Sequence, residues 1–186
     1  MSTYFTQALI LSQTDRGEAD QLFNLYTFSH GKALALARSS RKIKSKLRGH
    51  LQMFALLNVM IAPGRGYDHI AGVTIRQRFD SIGRDLKKVV LATHAMELVD
   101  TLTKPGVDDP RILQLLLSYF ETLDTQSFSA GEWRLILQAF TIKLLSLLGF
   151  DPPAEVASDI SRLDQFLKHH LEAKLQTETF ILRLKP

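Results

Sequence analysis

Five short apolar runs, separated by residues that favour turns, are the feature that most constrains the fold of this chain. They occupy positions 7–11, 21–27, 33–37, 52–61 and 70–79. The breaks at 15–17, 29–31 and 63–66 contain Gly, Pro, Asp and Ser, which adopt turn dihedral angles at little cost. Five strands within about eighty residues predict a small closed barrel.

The remainder of the chain has helical spacing instead. Apolar positions repeat at helical intervals over 82–102, and a second helix is predicted after Asp109-Pro110, where proline suits the first turn. Ser129 and Glu132 have the spacing of a capping box before a third helix that ends at Gly149. We predict a fourth helix over 158–175 and a short one after Thr177.

Together these patterns predict an α+β protein. The first eighty residues form a five-stranded barrel, and among small barrels the OB-fold is the one that most often binds oligonucleotides. We therefore predict an OB-fold DNA-binding domain at 1–80 and an all-α helical domain at 81–186. The helical domain is expected to contact proteins and to contribute to DNA binding.

Charge is distributed unevenly between these two parts. Residues 1–80 contain 11 Lys and Arg against 5 Asp and Glu, whereas residues 81–186 contain 12 against 14. No carboxylate occurs in the 47 positions between Asp20 and Asp68. Such a segment attracts phosphate, so we predict a nucleic-acid surface built from eight cations: Lys32, Arg38, Arg41, Lys42, Lys44, Lys46, Arg48 and Arg65.

Several other classes of function lack support in the sequence. The chain has no cysteine, which excludes disulfides, thiolate zinc sites and cysteine nucleophiles and fits a reducing cytoplasm. No apolar run approaches the roughly 18 to 20 residues needed to span a bilayer. The glycines near Arg65 lack the Gly-Lys-Ser/Thr end of a P-loop. We expect a cytoplasmic protein that is not an enzyme and uses no cofactor or metal.

His94 and Glu97 lie on one face of the first predicted helix. Two residues do not make a metal site, and we expect both at the surface. Tyr26, Phe28 and Phe54 offer aromatic faces on which bases stack, although aromatic residues at alternating strand positions belong more often to the core. We therefore expect these three rings to be core residues.

The order of residues in the basic segment resembles a known family. Positions 38–54 read RSSRKIKSKLRGHLQMF, and they follow a Gly17-Glu18-Ala19-Asp20 turn and a Gly31-Lys32 turn. Gly64-Arg65-Gly66 comes later, and Ser146-Leu147-Leu148-Gly149-Phe150 later still. These pieces, in this order, are similar to the RecO family of bacterial recombination mediators.

The resemblance implies an N-terminal OB-fold, binding of single- and double-stranded DNA, strand annealing, and partnership with RecR during RecA loading. In some members it also implies contact with the tail of single-strand-binding protein. The family usually has glycine where this chain has Ser39 and proline where it has Met53. The helical arginine that often lies just before the position of Phe140 is Gln138 here, and Arg134 is the candidate substitute for the partner-protein contact.

The sequence leaves two other functions open, a metal-dependent nuclease and a protein-interaction scaffold. A metal-dependent nuclease needs clustered carboxylates, and the acids of this chain are scattered through its helices. A protein-interaction scaffold would use the same cations for solubility alone. Anionic membrane surfaces also attract Lys and Arg, but no strongly amphipathic helix carries these cations, so we expect no membrane partner.

Overall fold

The computed structural model describes residues 2–42, 45–129, 131–158, 160–170, 175–177 and 180–181. Its first part is a closed barrel in the order β1-β2-β3-β5-β4. β3 and β5 are parallel, and the other neighbours are antiparallel. The strands are β1 (Tyr4–Arg16), β2 (Asp20–Thr27), β3 (Gly31–Ala37), β4 (Ala55–Ala62) and β5 (Asp68–Arg78). The predicted OB-fold barrel is confirmed.

Alternating side chains of the strands fill two separate cores. Residues such as Ile10, Phe23 and Leu57 face inward and fill the barrel. Residues of the opposite parity, Leu9 and Tyr26 among them, pack outward in one cluster with the helices. The barrel therefore shares one wall with the helical part. The functional division at residue 80 stays a prediction.

The helical part contains α1 (Leu86–Leu102), α2 (Pro110–Thr125), α3 (Glu132–Leu147), α4 (Ala154–Ala157) and α5 (Ile160–His170). The all-α character predicted for this part is confirmed. The start predicted for α1, at residue 82, was four residues too early because 82–84 form a turn of 3₁₀ helix. Asp85 then caps α1, accepting hydrogen bonds from the N–H groups of Lys87 and Lys88.

The end of the chain departs most from the prediction. A single turn, α4, precedes α5, and α5 begins at Ile160. The predicted helix end at Leu175 is wrong, because Leu175 lies outside any helix. Residues 171–174 and most of the predicted last helix lie outside the described residues. α3 ends as expected, with Gly149 at a φ of 81° and the Phe150 N–H donating to the carbonyl of Leu145 at 2.8 Å.

α1 holds a distant segment of the chain through polar side chains. The Glu97 carboxylate accepts the N–H groups of Gln176 and Thr177 at 2.6 and 2.9 Å, and His94 Nδ1 lies 2.7 Å from the Thr177 hydroxyl. His94 is only 4% exposed. The expectation that His94 lies at the surface was wrong, because the segment at 175–177 covers it.

Candidate nucleic-acid interface

The basic loop, defined here as residues 38–54 between β3 and β4, carries most of the predicted phosphate-binding cations. In the described part of this loop, Arg38, Arg41, Lys42, Lys46 and Arg48 are all exposed. Lys44, also predicted, lies outside the described residues. The loop thus presents several positive charges to solvent with no acid in its own sequence.

The beginning of the basic loop is fixed against the turn between β1 and β2. The Ser39 N–H donates to Asp20 Oδ1 at 2.7 Å, and the Arg41 N–H donates to the Ala19 carbonyl at 3.0 Å. Ser39 has a φ of 53°, in the left-handed region that glycine adopts more easily. The position where the family usually has glycine is therefore one where the backbone favours it.

The later part of the basic loop is held by two leucines. Leu47 and Leu51 pack against the barrel core, while Lys46 and Arg48 on either side of Leu47 point to solvent. The N–H groups of His50 and Leu51 both donate to the Leu47 carbonyl at 3.0 Å. Anchoring by apolar residues thus keeps the adjacent cations exposed without tying up their charges.

Other cations surround the same end of the barrel. Arg16, at the end of β1, lies 4.6 Å from the ring centroid of Tyr67, which belongs to the turn between β4 and β5. Arg65 is exposed in that turn. Arg41 forms an ion pair with Asp15 at 3.3 Å, but both side chains are about half exposed, so the pair is weak and screened by solvent. The β1–β2 turn, the basic loop and the β4–β5 turn are thus linked by contacts through Arg41 and Arg16.

Arg16 is absent from the residues predicted from sequence. It falls just outside the acid-free segment, between Asp15 and Glu18, and its neighbour Tyr67 lies 51 positions away. Counting charges along the sequence does not identify such a residue. A cation–π contact across two turns is visible only once the strands are aligned.

Lys32 has a different environment from the other predicted cations. Its ammonium lies 2.6 Å from Asp100 Oδ1 on α1 and also donates to the Asp100 carbonyl. Ser12 and Asn24 donate to the other carboxylate oxygen at 2.8 and 3.3 Å. The Lys32 side chain is 16% exposed. The structure therefore places Lys32 in the interface between barrel and α1, instead of on the predicted phosphate-facing surface.

The three aromatic rings considered for base stacking have different environments. Tyr26 is fully buried, and burial raises its pKa to about 12, while its hydroxyl donates to the Asp109 carbonyl at 3.1 Å. Phe54 is partly buried and packs edge-on against Phe120. The core placement expected for these two rings is confirmed. The expectation was wrong for Phe28, which is 47% exposed because it lies just beyond the end of β2.

The groove between α2 and α3 is the candidate contact for a partner's peptide. It has a volume of about 180 Å³, and its lining includes Tyr119, Phe140 and Lys143. Arg134, predicted from sequence for this role, lies in the first turn of α3 with its guanidinium 5.1 Å from the Trp133 ring. Arg134 does not line the groove. Lys143 does, and it was missed because the family pattern points to the residues before Phe140 instead of after it.

The described residues offer neither a cluster suited to a metal ion nor a helix suited to a membrane. Within the ranges given above, no group of three or more His, Asp or Glu side chains is arranged to hold a metal ion. None of the helices in that part of the chain has both the length and the apolar character required to cross a bilayer.

A closed barrel with cation-rich loops at one end and a helical bundle on one wall defines a protein of the OB-fold class, whose members often bind oligonucleotides. Residues 1–79 match the family described as "Recombination protein O N terminal", and residues 83–158 match "Recombination protein O C terminal". The chain belongs to the RecO family of DNA repair proteins.

Individual relatives agree with this assignment. The DNA repair protein RecO of Geobacter sulfurreducens is 35% identical over 144 residues, which is 77% of this chain and 58% of the relative. The protein of the same name from Dehalococcoides mccartyi (strain CBDB1) is 37% identical over 147 residues, or 79% and 56% of the two chains. That of Roseiflexus sp. is 32% identical over 149 residues, 80% and 51%. The chain thus spans little more than half the length of these curated relatives.

Proposed function

We propose that this chain is a non-catalytic mediator that binds single- and double-stranded DNA and anneals complementary strands. The observation that carries the proposal is the cluster of exposed cations on the basic loop and the neighbouring turns. Only Arg41 among the described cations of this loop has an ion pair to an acid. Phosphate contacts by such a surface need no base recognition, so binding is independent of sequence.

Annealing follows from the same electrostatics. Two complementary strands repel each other through their phosphates, and a cationic surface that holds both reduces this repulsion. Because the contacts are to phosphates, the bases remain available to pair. The exposed loop cations are each able to exchange one phosphate for another, which suits a surface that must release its product.

Protein partners complete the proposed function. RecR is the expected partner in assisting RecA loading, and the tail of single-strand-binding protein is a second one. For an acidic tail we propose the groove between α2 and α3, with Lys143 attracting the carboxylates and Tyr119 and Phe140 contacting apolar side chains. Arg134 has no place in this proposal, since it lies outside the groove.

A salt titration of DNA binding tests the main proposal. Five to seven phosphate contacts predict a slope of log K against log[salt] of about −3.5 to −5 on single strands. Changing Arg38, Lys42, Lys46 and Arg48 together to Ala removes four contacts, so the slope weakens by about 3 and affinity at 0.1 M salt falls by roughly several hundred-fold. Annealing of labelled complementary oligonucleotides falls in parallel.

The matched control neutralises four exposed cations of the helical half, Arg84, Lys104, Arg134 and Arg162. It changes the net charge equally and leaves the basic loop intact. Equal losses in the two variants would contradict the assignment to the loop. Weak binding that is insensitive to salt in the unmodified protein would reject DNA binding itself and favour an interaction scaffold.

A further inference from the structure

The wall of the barrel formed by β1 and β4 carries an open cleft that the proposed function does not use. Its volume is about 500 Å³, and it is lined by Phe5, Gln7, Phe28 and Asn58 with the backbone and small side chains beside them. Phe5 is 78% exposed and Phe28 is 47% exposed. By contrast, Phe23 is fully buried and Phe79 is 2% exposed.

The strand register explains why these residues lie together and uncovered. Gln7 on β1 pairs with Asn58 on β4, and Phe5 pairs with Met60. The Phe28 N–H donates to the Gln7 carbonyl at 2.9 Å, which extends the β1–β2 ladder and brings Phe28 to the same place. Leu9, two residues further along β1, packs against the helices. The helical bundle thus covers this wall only as far as Leu9.

The chemistry of the cleft suits an unpaired nucleobase. A base is a flat ring with hydrogen-bond donors and acceptors on its edge, and the cleft offers two exposed phenyl rings beside two carboxamides. The Gln7 and Asn58 side chains both line the cleft, and Asn58 is exposed. No acid lines the cleft, so it does not repel phosphate. The exposed Arg76 follows Thr74, the partner of Asn58 on β5, by two residues.

We propose that this cleft stacks unpaired nucleobases on Phe5 and Phe28, with Gln7 and Asn58 binding base edges. The inference rests on the proposed function and extends it from phosphates to bases. A single strand then contacts the barrel in two ways, through its backbone at the basic loop and through its bases at the cleft. Paired bases are inaccessible, so the cleft favours single strands over duplex.

The experiment compares a 20-nucleotide oligothymidylate with an abasic oligonucleotide of the same length and charge. Phe5→Ala combined with Phe28→Ala lowers affinity for the oligothymidylate by about 25-fold or more, since each ring is worth at least about fivefold. Affinity for the abasic strand stays within twofold, and the salt slope is unchanged because no counterion is involved. The control is Leu86→Ala with Leu135→Ala, two exposed apolar residues outside the cleft, which leaves all three values unchanged.

A second variant keeps aromatic rings at both positions and adds a fluorescence signal. Phe5→Trp with Phe28→Trp retains affinity for the oligothymidylate, and its indole fluorescence is quenched on binding. The natural Trp133 is 1% exposed and responds little. Retained affinity with quenching supports stacking, whereas retained affinity without quenching overturns it.

The two proposals fail in different ways. If the double alanine variant binds both strands like the unmodified protein, or loses both equally, stacking at the cleft is rejected while the basic loop remains supported. If the variant keeps its affinity for oligothymidylate but no longer binds RecR, the cleft is a protein-docking surface and the inference is wrong. If the unmodified protein binds neither strand in a salt-dependent manner, the proposed function itself is rejected.

Discussion

The two ends of strand β3 use positive charge in opposite ways. At its beginning, Gly31 and Lys32 form bridges with Pro105 in the connection between α1 and α2, and the Lys32 ammonium is bound by Asp100. At its other end, Ala37 is followed by Arg38, which is exposed to solvent. Lys32 thus helps to pack the barrel against α1, whereas Arg38 belongs to a surface that is open to solvent.

The difference shows that a cation is free to bind phosphate only where no acid lies beside it, whatever the number of cations nearby in the sequence. Asp100 lies 68 positions beyond Lys32 in the sequence and is brought beside it by the packing of α1 on β1. The described residues of the basic loop have one such acid, Asp15, which pairs with Arg41 at the surface. We therefore expect substitutions at the beginning of β3 to affect stability, and those beyond its end to affect DNA binding.

The largest effect is expected for Gly31→Ala. Gly31 has a φ of 56°, and an added Cβ would lie 2.2 Å from the Val107 carbonyl oxygen. The combined cost of the backbone conformation and the clash is about 3 kcal/mol in the free energy of unfolding, measured by denaturant titration. Gly17→Ala is the control, because Gly17 has a similar φ of 64° with nothing within 4 Å of the added atom. A control loss as large as that of Gly31→Ala would show that contact with Val107 is unimportant.

We expect Lys32→Met to lower stability and leave DNA binding unchanged, and Lys42→Met to do the reverse. Lys32→Met leaves the Asp100 carboxylate partly buried without its cation, which lowers the free energy of unfolding by about 2 kcal/mol. Its affinity for DNA stays within twofold. Lys42→Met, in the basic loop, leaves stability within about 0.5 kcal/mol but weakens single-strand binding roughly fivefold at 0.1 M salt. If Lys32→Met weakened binding as much as Lys42→Met, the separation between the two ends would be refuted.

Ser39→Gly tests the backbone at the other end of β3. Glycine adopts the positive φ of residue 39 without the steric cost that serine bears, so the free energy of unfolding increases by about 0.5 to 1 kcal/mol. The hydrogen bond from the residue 39 N–H to Asp20 is retained, because it involves the backbone. A thermal melt with and without the substitution measures the change. Lower stability would mean that the serine hydroxyl or the chain entropy outweighs the relief of strain.

The smallest effect concerns Asp109, which caps α2 beside the beginning of β3. Hydrogen bonding from the Arg111 side chain lowers the pKa of Asp109 below its usual value. A lowered folded-state pKa contributes stability above the unfolded pKa of about 3.9, and that contribution is lost as the pH falls through the folded value. Asp109→Asn keeps a capping side chain and costs about 0.5 kcal/mol at pH 7. Below both pKa values the difference from the unmodified protein disappears; a difference that persisted there would not come from the charge.

The sequence predicted the barrel well because its turns are determined locally. Glycine at 17 and 31 has a positive φ in the structure, and the strands lie on either side. The prediction was weaker where distant partners decide the outcome. Neither the pairing of Lys32 with Asp100 nor the contact of Arg16 with Tyr67 leaves a local signal, because each joins residues more than 50 positions apart.

The helical site shows the same limit. Arg134 was predicted from the family pattern, and the apolar spacing along α3 alone does not identify which face of that helix lies against α2. The groove is lined by Ile136, Ala139, Phe140 and Lys143 of that helix, which places Arg134 outside it. The candidate interface on the barrel was thus predicted mainly by composition, and the structure was needed to divide its cations between packing and solvent.

Successive turns of α1 grip two remote stretches of polypeptide. His94 and Glu97 bind residues 176 and 177, and Asp100 binds Lys32, Ser12 and Asn24 of the barrel. A shift of α1 along its axis would break both the bonds to residues 176 and 177 and those to the barrel. The contacts of residues 176 and 177 and those of the barrel therefore depend on the position of the same helix, and we expect a substitution that displaces α1 to loosen both together.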